Sequence, residues 1–104
     1  MPDPNTIMTE GLRLTVLRLV AGAAGRTANE HVLHMTVESF GFRVARDRIR
    51  VELAWLRDQG LLSVTELKRD GGPPLMVAIA NARTLDVVED RATVPGVARP
   101  SPRS

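Results

Sequence analysis

The sequence predicts one mainly α-helical domain of the α+β class, with four helices and a small β-hairpin. Apolar residues recur at helical spacing in four stretches, and two short alternating stretches flank the turn sequence RDGGPP. The chain has 104 residues, of which 43% are apolar, which is the size of a single domain with a modest core. Because the aromatic residues are only Phe40, Phe42 and Trp55, the core should consist mainly of aliphatic side chains.

The first helix should span about residues 7 to 21. Its apolar positions fall at helical spacing, at Leu12, Val16, Leu19 and Val20. Thr6 or Thr9 can serve as its N-cap, and Gly22 is a residue type that ends helices. The second helix follows the small residues of the sequence AGAAGR.

The second helix should begin at Thr27 and end at Gly41. Thr27 and Glu30 have the spacing of a capping box, in which each side chain binds a backbone N–H at the start of the helix. The apolar residues that follow at helical spacing are Val32, Leu33, Val37 and Phe40.

The third helix should span about residues 46 to 59 and end at Gly60, a residue type that readily takes the left-handed conformation after a helix. The face that we expect in the core carries Ile49, Leu53 and Leu56. Ala45 stands at the N-cap position without a side-chain oxygen, and Asp47 near the positive helix end offsets part of that loss.

The hairpin and a fourth helix complete the predicted domain, residues 1–92. LLSVTELK and LMVAIA should be the two strands, with the hairpin as a whole covering about residues 62 to 80. The fourth helix should span about residues 82 to 92, with Leu85, Val88 and Ala92 on one side.

Residues 93–104, TVPGVARPSPRS, should form an extended, proline-rich C-terminal tail. Val94 and Val97 flank a Pro-Gly turn, and this pattern predicts that the tail docks on its own domain or on a neighbouring subunit. The alternative is a disordered end.

The predicted order α-α-α-β-β-α is the organisation of a winged helix-turn-helix domain. In such a domain the third helix enters the DNA major groove, and the hairpin, called the wing, rests against the DNA backbone. The pattern LxxLxxxGLL, formed by Leu53, Leu56, Gly60, Leu61 and Leu62, resembles the end of the recognition helix in bacterial winged-helix repressors.

Longer segments resemble a family of small proteins carried by Mu-like bacteriophages and prophages. The segments are TANEHVL, RVARDRIRVELAWLRDQGLL and LDVVEDRATVPGVARPSP, in the same order across nearly the whole chain. This resemblance implies a winged-helix fold and a phage or prophage origin.

Positive charge is concentrated at the start of the third helix. The chain carries a formal charge of only +2, from 14 Lys and Arg against 12 Asp and Glu. Within residues 43–50, however, Asp47 opposes four arginines, namely Arg43, Arg46, Arg48 and Arg50. Such a local excess favours contact with the phosphates of nucleic acid.

A helical wheel predicts how this helix would meet double-stranded DNA. Arg46 and Arg50 lie on one flank and Arg48 on the other, where they would meet phosphates. Asp47 and Val51 point outward between the flanks, toward cytosine amino groups or thymine methyls. At the hairpin turn, further cations that can reach the DNA backbone are Lys68 and Arg69.

The function predicted first is therefore DNA binding, in transcription regulation or phage DNA handling. The alternative is a solvated helix face in which Arg48 pairs with Glu52 and Asp47 with Arg50. The winged helix would then serve protein contacts, such as an accessory role in phage DNA packaging or assembly. A homodimer through the outward apolar sides of helix one and helix four is also predicted, because such proteins often read two half-sites.

Trp55, the two histidines and an acidic cluster are weaker candidates for functional residues. Trp55 lies toward the exposed side of helix three, which predicts either a partner surface or cover from another element, such as helix one or the tail; a packing role is the expected one. His31 and His34 lie one turn apart, but a His pair without Cys is a weak metal site. The acidic cluster Asp86, Glu89 and Asp90 is more typical of a solvated helix face than of a catalytic site.

Enzymatic function is not expected, because the sequence lacks a nucleophile-base pair and a phosphate-binding loop. No cofactor or metal is expected either. The absence of Cys, of a signal peptide and of a long apolar run predicts a soluble cytoplasmic protein that does not bind membranes.

Overall fold

The computed structural model describes residues 3–100. In chain order its elements are α1 (Pro4–Gly22), a short 3-10 turn (Ala24–Arg26), β1 (Thr27–Asn29), α2 (Glu30–Ser39), α3 (Arg46–Asp58), β2 (Ser63–Leu67), β3 (Leu75–Ile79) and α4 (Ala82–Val88). These residues form four α-helices and one antiparallel sheet in the order β1-β3-β2. The predicted mixed α+β class is confirmed.

The predicted element order was wrong at one point, because a strand precedes α2. Thr27 pairs with Ile79 and Asn29 with Val77, so that β1 borders the hairpin strand β3. The N-cap of α2 is Asn29, whose side chain accepts the N–H of Val32 at 2.9 Å. The predicted capping box at Thr27 is therefore wrong. A strand of three residues is too short to leave a periodic pattern, and its partner lies far along the chain.

Helix α1 begins before its predicted start. Asp3 is the N-cap and accepts the N–H of Thr6 at 2.8 Å, a bond that lowers the pKa of the Asp3 carboxyl. Pro4 takes the first helical position, where a missing N–H costs nothing. The predicted caps Thr6 and Thr9 are thus inside the helix, whereas the predicted end at Gly22 is confirmed.

Helix α3 has the predicted bounds to within one residue and the predicted core face. Its face toward the core consists of fully buried residues, Ile49, Leu53 and Leu56. At its end Gly60 takes a φ of +74°, and the N–H of Leu61 bonds the carbonyl of Leu56 at 2.9 Å. This Schellman ending turns Leu61 and Leu62 into the core.

The predicted hairpin is confirmed, with slightly shorter strands. The register runs from Ser63 opposite Ile79 to Leu67 opposite Leu75. Met76 and Ala78 are buried on one face of β3, as alternation in a strand requires. The turn residues 68–73 are exposed.

Helix α4 begins at its predicted position and is shorter than predicted. Asn81 and Thr84 form a capping box that fixes its start. Its buried residues are Thr84 and Val87. Of the three predicted to share one side, Val88 and Ala92 pack against the core while only partly buried, and Ala92 lies beyond the end of the helix. Asp90 takes a φ of +61° and turns the chain away before Ala92 can join the helix.

The segment after α4 packs onto the domain, as the tail-docking prediction required. Val94 and Val97 belong to the hydrophobic core, each only 7% exposed. The N–H of Ala98 donates to the carbonyl of Glu10 at 3.1 Å. A disordered end is thereby contradicted for residues 93–100, and residues 101–104 of the predicted tail lie outside the described part.

Among the described helices, none combines the length and the hydropathy that crossing a bilayer requires.

Candidate nucleic-acid interface

The residues predicted to contact DNA form an exposed group and a half-buried group. The exposed ones lie before α3, on its outward side and at the hairpin turn: Arg43, Asp47, Val51, Lys68 and Arg69. The half-buried ones lie along α3: Arg46, Arg48 and Arg50. These three are partly covered because each guanidinium binds a buried glutamate.

Glu30, the first residue of α2, lies between two of these arginines. Its side chain is only 2% exposed. Oε1 accepts a hydrogen bond from Nη2 of Arg46 at 3.1 Å, and Oε2 pairs with Nη1 of Arg50. The backbone N–H of Met76 also donates to Oε2, at 3.4 Å. The resulting arginine-glutamate-arginine arrangement, the Glu30 triad, joins α2, α3 and β3.

Glu52 of α3 forms a second arrangement of the same kind, the Glu52 triad. Its Oε1 accepts from Nε of Arg13 at 2.7 Å, and its Oε2 accepts from Nε of Arg48 at 2.6 Å. Arg48 also donates to the hydroxyl of Thr9 at 2.6 Å. This triad therefore joins α3 to α1, and it turns Arg48 toward α1.

The alternative to DNA contact predicted two ion pairs on a solvated face of α3, and one of them forms. The pairing of Arg48 with Glu52 is confirmed. The pairing of Asp47 with Arg50 was wrong, because Arg50 binds Glu30 and also donates to the carbonyl of Pro74 at 3.2 Å.

Sequence reasoning missed that both glutamates are buried. Glu30 lies one turn before the buried Leu33, and Glu52 lies between the buried Ile49 and Leu53, so each carboxylate interrupts an apolar stripe. An acidic residue on such a stripe is the signal that was available, since a buried carboxylate requires cationic partners. The identity of those partners depends on tertiary packing.

The outward strip of α3 matches the helical wheel. Asp47 and Val51 are exposed, and the Val51 side chain is 61% exposed. Arg43 is exposed just before the helix. The first turn of α3 begins without a side-chain cap at Ala45, as predicted. This strip offers a carboxylate and a branched apolar side chain to whatever α3 meets.

The hairpin turn presents two exposed cations beside two exposed acids. Lys68 and Arg69 lie between Glu66 and Asp70, and Nε of Arg69 donates to the carbonyl of Pro73 at 3.1 Å. None of the salt bridges among the described residues involves Lys68 or Arg69. Glu66 of β2 and Asp70 of the turn thus balance the two cations in charge, while neither cation is held in a salt bridge among the described residues.

Trp55 is covered by α1 and by the C-terminal segment, the two elements that were predicted as alternatives for its cover. The guanidinium of Arg13, on α1, stacks 3.7 Å from the centre of the indole ring. Nη1 of Arg13 donates to the carbonyl of Gly96 at 3.0 Å, which places the C-terminal segment beside the same ring. Trp55 is therefore a packing residue that attaches this segment to α1 and α3.

The two histidines do not converge on one site. Nε2 of His34 lies 2.8 Å from the carbonyl of Val44, whereas Nδ1 of His31 lies 3.4 Å from Nη1 of Arg46. Within residues 3–100, no three metal-ligating side chains come together. In the acidic cluster, Arg91 donates hydrogen bonds to Glu89 and Asp86, and these bonds raise the pKa of the Arg91 guanidinium.

Comparison with known proteins identifies relatives. Over 100 residues the chain is 37% identical to the uncharacterized protein gp26 of Escherichia phage Mu, which covers 96% of this chain and 98% of that protein. The chain belongs to the phage Mu gp26 family. A second relative of this gp26-family chain is an uncharacterized protein of Haemophilus influenzae, 39% identical over 79 residues, which are 76% of this chain and 72% of that protein. No protein-family model matches the chain. The predicted Mu-like phage family is confirmed.

Proposed function

We propose that this member of the gp26 family is a winged-helix protein that binds double-stranded DNA through α3 and the β2-β3 hairpin. The observation that carries the proposal is the tie between these two elements. Arg50 of α3 donates to the carbonyl of Pro74, at the turn end of β3, while it pairs with Glu30. A helix held beside a hairpin turn is what a winged helix requires.

The charges support contact with phosphates. In the Glu30 triad two arginines oppose one carboxylate, and Arg46 and Arg50 keep 33% and 29% of their side chains exposed. Arg43, Lys68 and Arg69 add three exposed cations. Acidic neighbours offset part of this charge, so we expect weak affinity for mixed-sequence duplex, of about micromolar order at low salt.

Base contacts would come from the outward strip. The carboxylate of Asp47 can accept from the amino group of cytosine, and the methyl groups of Val51 can contact thymine methyls. A protein of this kind would act in transcription regulation or in the handling of phage DNA.

The test is a titration of the full chain with mixed-sequence duplex DNA at two salt concentrations. We expect affinity to fall steeply with salt, because each phosphate contact releases condensed counterions. The double variant Lys68→Ala/Arg69→Ala should reduce the magnitude of the salt slope by about two.

The matched control is Arg18→Ala/Arg83→Ala, which removes the same charge from exposed positions on α1 and α4. It should leave the slope nearly unchanged. Equal weakening in the two double variants, or no binding by the wild-type chain at low salt, would contradict the proposal. Arg46 and Arg50 are poorer test positions, because their loss would leave buried Glu30 with fewer partners.

A protein-interaction module is the second candidate, and one observation favours it. Three large apolar side chains in and just after α2 are exposed by about half, namely Val32, Met35 and Phe40 at 48%, 60% and 60%. Exposed apolar residues of this kind occur at protein contacts. The proposed partner would be a component of phage DNA packaging or assembly. Absence of DNA binding at low salt favours this function over the first.

A further inference from the structure

We infer that Glu30 is the positioning residue of the proposed DNA surface, where it holds α3 and the hairpin at one relative orientation. This inference rests on the proposed function and extends it. Glu30 is buried and does not reach the outward strip of α3 or the hairpin turn. Its role would therefore be exerted through the side chains that it binds.

The two carboxylate oxygens of Glu30 serve different parts of that surface. Oε1 binds Arg46, the first residue of α3. Oε2 binds Arg50 and the N–H of Met76, which lies in β3. One carboxylate thus fixes the start of the helix and the start of the second hairpin strand together.

The tie acts at the end of the hairpin that carries the cations. Leu67 and Leu75 are the last register pair before the turn, and Lys68 follows directly. Pro74, which accepts from Arg50, and Met76 flank Leu75 on the opposite strand. The Glu30 triad therefore binds the hairpin at Pro74 and Met76, next to its turn.

Apolar burial does not hold the turn or the end of β2 that leads into it. Residues 65–73 are all exposed, including Leu67 at 55%, so apolar burial does not anchor them. The core reaches the hairpin mainly through β3, at Met76 and Ala78. A binding surface made of two elements loses affinity when one must be ordered on binding. The Glu30 triad would reduce this loss, because it orders the hairpin before DNA binds.

Glu52 provides a matched control for Glu30. Both glutamates are 2% exposed, and each binds two arginines. The Glu52 triad joins α3 to α1 and does not include a hairpin atom among its hydrogen bonds. Glu30→Gln and Glu52→Gln thus make the same chemical change, and we expect only the first to loosen the hairpin.

The experiment compares both variants with the wild-type full chain, at a temperature where circular dichroism shows all three folded. We expect Glu30→Gln to weaken duplex binding about tenfold and Glu52→Gln to change it less than about twofold. The direction is informative, because loss of a negative charge would by itself strengthen binding to DNA. Amide hydrogen exchange should become faster at Met76 and in the hairpin in Glu30→Gln alone.

Two results would overturn the inference. One is an equal change in DNA affinity in the two variants, and the other is hairpin exchange in Glu30→Gln that matches the wild type. If the wild-type chain binds no DNA, the proposed function fails and the DNA role of Glu30 fails with it. If the wild-type chain binds DNA and the two variants have equal DNA affinity, by contrast, only the proposed role of Glu30 fails.

Discussion

At the scale of single residues, the two buried glutamates determine how the arginines of α3 are used. A carboxylate buried without cationic partners is strongly unfavourable, so Glu30 and Glu52 each require the guanidinium groups around them. Three of the four arginines that stand out in the sequence, those at positions 46, 48 and 50, therefore stabilise the fold. Arg43 is the one of the four without a salt bridge among the described residues. Its substitution would therefore test DNA contact without removing a partner of a buried glutamate.

Gly96 is a residue at which one methyl group should be costly. Its φ is +94°, and a Cβ built there would lie 2.8 Å from Cη2 of Trp55. We expect Gly96→Ala to lower the free energy of unfolding by about 2–3 kcal/mol, from left-handed strain and overpacking together. Denaturant unfolding measures the loss, and Trp55 fluorescence should report a more solvated indole.

Gly25 separates the two causes. Its φ is +66°, and a Cβ there would meet no atom within 4 Å. Gly25→Ala should therefore show the backbone strain alone, about 1–2 kcal/mol, and leave Trp55 fluorescence unchanged. If the two glycine variants lose the same stability, the close contact between Gly96 and Trp55 has no energetic weight.

At the scale of elements, the sequence predicted those features that depend on interactions between residues close in the chain. Helix α3, its uncapped start at Ala45 and its glycine ending all follow from residues close in sequence, and so does the hairpin. Strand β1 could not be found in this way, because its pairing partner is β3, many residues later. Helix α4 ends earlier than predicted because Asp90 takes a positive φ and leaves the helical path.

The sequence predicted where the residues of the candidate site lie, but it did not predict most of their salt-bridge partners. The outward placement of Asp47 and Val51 follows from helical geometry alone. The partners of Arg46 and Arg50 depend on how α2 crosses α3, and a single-helix wheel does not contain that information. Arg48 was paired correctly because its partner lies four residues ahead on the same helix.

The start of α3 should be open to improvement by one substitution. Ala45 occupies the N-cap with extended φ and ψ, and no side chain there accepts a hydrogen bond from the first turn. We expect Ala45→Ser to stabilise the chain by about 1 kcal/mol, since a serine hydroxyl can accept a backbone N–H of the first turn, such as that of Asp47. Thermal unfolding measures the gain.

Ala54→Ser, in the interior of the same helix, is the control. The same added hydroxyl has no free N–H to bind there and should be neutral or slightly destabilising. A gain of equal size in both variants would show that capping is not the cause. DNA affinity of Ala45→Ser relative to wild type would then indicate whether a firmer first turn helps the proposed interface.

At the scale of the whole molecule, the apolar surface of α1 and α4 is largely used within the chain. The two helices pack against each other, and Val87 and Leu12 are buried in the common core. Ile7 is the one large apolar residue of these two helices that is mostly exposed within the described residues, at 57%. The homodimer predicted through these helices stays untested, and little apolar area is left to form it.

We therefore expect the free chain to sediment as a monomer of 11.4 kDa at low micromolar concentration. A stable dimer interface buries about 800 Å² on each partner, more than scattered residues such as Ile7 supply. Sedimentation velocity at two concentrations, with Ile7→Asp as the comparison, tests this. A dimer that Ile7→Asp dissociates would instead support the homodimer through α1 and α4.

The hydrogen bond between Glu10 and Ala98 has a consequence for protein synthesis. Helix α1 leaves the ribosome early, whereas Val94, Val97 and Ala98 emerge only after every other described helix and strand. A nascent chain that has completed its sheet still leaves Trp55 without the cover beside Gly96. The core contacts of α1 are then completed by a segment made after every other described element. A product terminated before Val94 would therefore leave the indole covered on its Arg13 side only, and chaperones and proteases can recognise such surface.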